Sequence, residues 1–206
     1  MSAQSHTAQD DLSFMRGLVE AGDNASRTFG EIYLAAGLIY GAQMLLHAGQ
    51  LLGLLSVRPL AALAIGLGPT VIFLAVLTWL LWRRRRVRPA PVVERAVAAV
   101  FQSVGLANLA LVAVIGAVAW RHHSLAIWLI YPCSVFVLQG VAWMVAFALR
   151  RRAWLAWVGL GWMAAGVAMG LAVDSLAYFI LIGGVAFLLL MVAPGATMIR
   201  LARTAA

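Results

Sequence analysis

Apolar residues run along this chain in six stretches, each long enough to cross a bilayer: about 30–53, 60–82, 97–120, 125–149, 153–173 and 175–199. A helix needs roughly 20 apolar residues to span the hydrocarbon. Polar groups punctuate the runs. The first run ends at Ser56-Val57-Arg58-Pro59 and the second at Arg83 to Arg86. The third ends at Trp120-Arg121-His122-His123 and the fourth at Arg150 to Arg152. Only Asp174-Ser175 separates the fifth from the sixth. The pattern predicts an all-α fold, a polytopic transmembrane bundle of six spans. It divides the chain into an N-terminal segment 1–28, a membrane domain 29–200 and a tail 201–206.

Ahead of the first span the periodicity changes. Asp10 or Asp11 can cap a helix start. Leu12, Met15, Leu18 and Val19 then recur at helical spacing, with Phe14 at the edge of that face. Ser13, Arg16, Glu20, Asp23 and Arg27 lie largely elsewhere. This predicts a short amphipathic cytoplasmic helix, lying on the membrane surface or against the bundle. The face Leu12, Phe14, Met15, Leu18 and Val19 is a candidate docking surface for a protein partner. Residues 1–28 carry no basic leader before an apolar core, so insertion is expected from the first internal helix. Asn24-Ala25-Ser26 matches a glycosylation sequon, silent on a cytoplasmic segment.

Charge placement sets the expected orientation. The chain has 15 basic residues, all arginine, against 7 acidic ones, and a net charge of +8. With six spans, one side collects Arg16, Arg27, Arg83 to Arg86, Arg88, Arg95, Arg150 to Arg152, Arg200 and Arg203. The other side keeps only Arg58 and Arg121. Basic residues beside short loops are retained in the cytoplasm. Both termini are therefore expected there, N-in and C-in, in a cell inner membrane of bacterial type. The arginine clusters are expected to attract anionic lipid headgroups. No folded reading module accompanies them, so a nucleic-acid partner is not expected.

Composition agrees. Apolar types are 64 % of the 206 residues, charged types are 11 %, and mean hydropathy is +0.96. Soluble domains carry roughly 45–50 % apolar and about 25 % charged residues. Having no lysine excludes a Schiff base, and with it a retinal protein. The single Cys133 excludes an intramolecular disulfide or a two-cysteine metal or redox motif. No Ser–His–Asp order with a supporting motif, no His-Glu-x-x-His, no phosphate loop and no intramembrane carboxylate pair is present, so no enzyme and no cofactor are expected.

Polar side chains inside the runs are the candidates for function. On the first span, Tyr33, Tyr40, Gln43, His47 and Gln50 fall within an arc of about 100°. A polar stripe is expensive to turn toward lipid, so it should face the bundle interior, a cavity or another subunit. Asn108 and Gln139 lie at matching depth on the third and fourth spans. These seven residues are the candidate lining of a polar path. The same pattern also arises from hydrogen bonds between helices.

His122, His123 and Asp174 form a candidate polar cluster toward the outer side. Metal binding is not expected of them, because no two histidines stand at i, i+4 and adjacent ones point apart.

Gly37-x-x-x-Gly41, Gly49-x-x-x-Gly53 and Gly166-x-x-x-Gly170 are candidates for close helix approach. Recurring Val/Ala-Gly-Leu triplets and Pro–Trp spacings (Pro69 with Trp79, Pro132 with Trp143) allow a pseudo-repeat of three helical hairpins. The expected function is a non-enzymatic multi-pass membrane protein that senses, scaffolds or binds a partner or another copy of itself through its cytoplasmic face. The alternative is a small transporter or channel using the stripe.

Overall fold

A computed structural model describes the backbone of residues 2–83 and 91–204, and the side chains of residues 26–83 and 91–204. Among the described residues the fold is all helical, without strands. The elements are α1 (Ser2–Leu51), α2 (Pro59–Arg83), α3 (Val92–His122), α4 (Leu125–Arg150), α5 (Ala153–Leu171), α6 (Leu176–Phe187) and α7 (Ala193–Thr204). A π-helical turn, Leu188–Val192, joins α6 to α7. Among the described residues, six helical segments are long and apolar enough to cross a membrane: Ser26–Leu51, α2, α3, α4, α5 and the α6–α7 unit Leu176–Thr204.

Local chemistry explains the ends. Pro59 opens α2, where a missing N–H costs nothing. The Ser124 hydroxyl accepts from the Ile127 N–H and caps α4. His123, Arg151 and Gly53 take left-handed backbone angles after α3, α4 and α1, with φ of 48°, 54° and 73°. For Arg151 this lets its N–H close on the Phe147 carbonyl. Pro194 has no N–H for the Leu190 carbonyl, and the wider π-helical turn just before it accommodates the mismatch.

Neighbouring helices run antiparallel and meet at glycine. A Cβ on Gly195 of α7 would lie 2.8 Å from both the Gly30 carbonyl oxygen and the Leu34 nitrogen of α1. Gly37 and Gly41 bring α1 onto Met191 and Leu188 of the π turn. Gly140 and Gly159 bring α4 and α5 equally close, and Gly166 sits on the Cys133 carbonyl. α1 lies against α6, α7 and α2, and α4 lies between α3 and α5. The core is carried by α1, α4, α5 and α6–α7. α2 and α3 flank it and expose apolar side chains such as Leu63, Leu67, Leu106 and Leu109.

Several expectations are revised. The amphipathic segment is not a separate short helix, since α1 continues unbroken from Ser2 into the span. The side chains of Leu12, Phe14, Met15, Leu18 and Val19 lie outside the described residues, as do Arg84, Arg85, Arg86 and Arg88. α3 starts at Val92 and not near residue 97, so Glu94 and Arg95 are helical. The sixth span is two α-helices with a π turn between them. Of the glycine pairs, Gly49 ends α1 against the Leu55 side chain, Gly53 lies in the α1–α2 turn, and Gly170 meets open space.

Candidate functional site

The seven predicted path residues divide among several environments. Tyr33, one turn into the bundle beyond Phe29, is buried. Its hydroxyl accepts from Gln139 Nε2 at 2.8 Å and from Trp143 Nε1 at 2.7 Å, both on α4. Gln139 and Trp143 stand four residues apart, so one helical face presents both donors. Turning the Gln139 amide over, which leaves the heavy-atom geometry unchanged, gives the Tyr33 proton an acceptor as well.

Rings enclose this node. Trp143, 1 % exposed, meets Tyr33 edge-on at 5.3 Å and Phe101 at 5.5 Å. Phe29 stacks on Tyr33 at 5.4 Å. A second ring group, Phe136, Trp162 and Phe187, continues the core toward α5 and α6. Edge-to-face pairs at these distances add to the burial of large apolar surface. Among the described residues, the Trp162 indole N–H is buried without a hydrogen-bond partner. Chemically, this arrangement fixes α1 against α4; it presents no free nucleophile.

Further along the stripe, Tyr40 lies between Phe73 of α2, at 5.3 Å, and Phe187, at 6.4 Å. Gln43 Nε2 donates to the Gly66 carbonyl at 2.9 Å. That carbonyl is next to Ile65, whose own helical donor is missing because residue 69 is proline. His47 Nδ1 and Gln50 Oε1 are 3.3 Å apart within α1. Gln50 Nε2 and, on α3, Asn108 Oδ1 are buried without partners among the described residues. Thus Tyr33 and Gln139 are brought together, and Gln43 is spent on α2.

None of three surface cavities is lined by a stripe residue. One of about 470 Å³ lies by Trp120 and Trp128, one of about 360 Å³ by Cys133 and Val167, and one of about 460 Å³ between α5 and α6.

His122, His123 and Asp174 are all exposed. His122 and His123 close α3, where the His123 ring lies 6.3 Å from that of Trp120, and Asp174 sits in the turn before α6. Among the described residues, no three His, Cys, Asp or Glu side chains are placed to hold a metal ion.

Two features were not anticipated from sequence. Arg150 Nη2 donates to Glu94 Oε2, pairing the end of α4 with the first turn of α3. Glu94 stood in a stretch that reads as a basic loop, and a partner 56 positions away leaves no local signal. The carboxylate also stands at the positive N-terminal end of α3. The other feature is the central place of Trp143, which in sequence is one tryptophan among eight. On α1, Arg27 Nε donates to Glu31 Oε1 at 3.0 Å. Arg27, Glu94, Arg150 and Arg200 stand toward the same end of the bundle, as the antiparallel pairings of α1 with α7 and of α3 with α4 require.

No protein-family model matches the chain, no curated protein is significantly similar to it, and no solved structure matches its fold.

Proposed function

We propose that this is a non-enzymatic multi-pass inner-membrane protein that holds a partner at its cytoplasmic face, with both termini and the arginine-rich end on that side. The observation supporting this reading is the use of the α1 stripe. Tyr33 is engaged with Gln139 and Trp143, and Gln43 with the Gly66 carbonyl. Polar groups engaged in this way hold helices together and do not serve a solute path. Meanwhile α1 extends from Ser2 to Ala25 ahead of its span, roughly 36 Å of helix at 1.5 Å per residue. That extension carries the amphipathic pattern read from residues 11–27 and offers the docking element. Sensing and scaffolding are both forms of this activity.

The second reading, a small transporter or channel, is favoured by the unpartnered Gln50 Nε2 and Asn108 Oδ1, which a passing polar solute could engage. One experiment separates the two. Cysteine is placed at residue 43 or 47 in a Cys133→Ser background, and the membranes are treated with a water-soluble thiol reagent. The partner-holding reading predicts protection at both positions; rapid labelling at both would transfer the assignment to a solute path. In the same strain, deletion of residues 11–27 should leave the protein inserted and remove its co-purifying partner. Unchanged co-purification would remove the docking role.

A further inference from the structure

The groove between α5 and α6 is lined by Gly161, Ala165, Val185, Ala186, Leu189 and Leu190. Its volume, about 460 Å³, falls within the roughly 300–1,000 Å³ of small-ligand sites. Its walls meet at Gly161, where an added Cβ would lie 2.6 Å from Leu190 Cδ2, and the groove opens outward from that contact. Toward the arginine-rich end the walls part. The π turn ahead of Pro194 carries α7 onto α1, where Gly195 meets Gly30, and α7 does not follow α5. Exposed Arg151 and Arg152 immediately precede α5, and Arg200 is exposed on α7.

We propose that this wedge binds one anionic phospholipid of the leaflet at the arginine-rich end, with an acyl chain in the groove and the headgroup at Arg151, Arg152 and Arg200. Charge complementarity selects the headgroup. Depth selects the chain. Gly161 follows Arg152 by nine residues and Ala165 by thirteen, so the groove lies roughly 14–20 Å from the arginines. One leaflet measures about 20–22 Å from headgroup to midplane. The groove therefore stands where the far half of an acyl chain lies. Trp157, exposed on α5 between the arginines and the groove, sits at the level where indoles favour the membrane interface. The site is separate from any partner held by the N-terminal helix, and neither depends on the other.

The test is native mass spectrometry of the full chain, released from bilayers of equal phosphatidylglycerol and phosphatidylcholine with matched acyl chains. The wild type should retain one lipid per chain, with phosphatidylglycerol favoured at least fivefold. Replacing Arg151, Arg152 and Arg200 together by glutamine should bring that ratio near one. Filling the groove with Ala165→Phe and Val185→Trp should cut retained lipid severalfold while the arginines stay in place. Val185 faces outward, so Val185→Trp alone carries the test if the double variant does not fold. Equal retention of both lipids by the wild type would overturn the site. So would a filled groove that retains phosphatidylglycerol as before, or one that changes the protein from dimer to monomer, which would give the groove to a second copy.

Discussion

An alanine at Gly195 is expected to lower stability by about 1–3 kcal/mol, and a leucine by more, because the helices cannot make room without separating. The added Cβ would lie 2.8 Å from the Gly30 oxygen and from the Leu34 nitrogen, both backbone atoms of α1. A flexible side chain could swing aside; a helix backbone cannot. The penalty is offset in part by the better helix propensity of alanine, worth roughly 1 kcal/mol over glycine. Gly105 supplies the control. It is helical, exposed on α3 and open on every side, so Gly105→Ala should be neutral or mildly stabilising. Unfolding in mixed detergent with increasing dodecyl sulfate measures both. Equal curves for Gly195→Ala and the wild type would show that α1 and α7 are not held at this distance.

At the aromatic node, truncating the ring should cost more than removing the hydroxyl. Trp143→Ala removes an indole that is 1 % exposed and surrounded by Phe29, Tyr33, Phe101 and Trp154. Large-to-small changes of this kind cost about 3–5 kcal/mol. Tyr33→Phe keeps the ring and removes only the oxygen that accepts from Gln139 and Trp143. Hydrogen bonds between membrane helices average roughly 0.6 kcal/mol and reach about 1.7. Two lost together, with Trp143 Nε1 left buried, set an expectation of about 1–2 kcal/mol. The same unfolding assay ranks the pair. A Tyr33→Phe penalty as large as that of Trp143→Ala would mean that the polar contacts, and not the ring contacts, dominate this part of the core.

How far the chain could be read before its structure followed from what kind of signal each residue leaves. Span positions were legible because arginines and prolines mark the ends, and five of the six helices long and apolar enough to span begin within about four residues of the expected positions. The direction of Tyr33 and Gln43 was also legible, since an amide or phenol facing lipid is costly; both do bond to other helices. Their partners were not. Gln139 was matched by depth alone, and Trp143 carried no mark distinguishing it from other tryptophans. Glycine spacing misled: Gly49 packs only on Leu55 and Gly53 lies in a turn, whereas Gly30 and Gly195 approach closely with no short motif between them. Helix pairing in an apolar chain depends on shape, and shape has little local signature when nearly every residue is compatible with lipid. Glu94 was hidden for a related reason, because its charge is answered by Arg150 on another helix.

The arrangement of the arginines with respect to the bilayer is the claim on which orientation, docking face and lipid leaflet all depend. It is tested most directly by alkaline phosphatase fusions placed after residues 56, 88, 123, 174 and 204. The account predicts phosphatase activity at 56, 123 and 174, and none at 88 or 204. Activity at 204, or at 88 beside the four-arginine run, would contradict it.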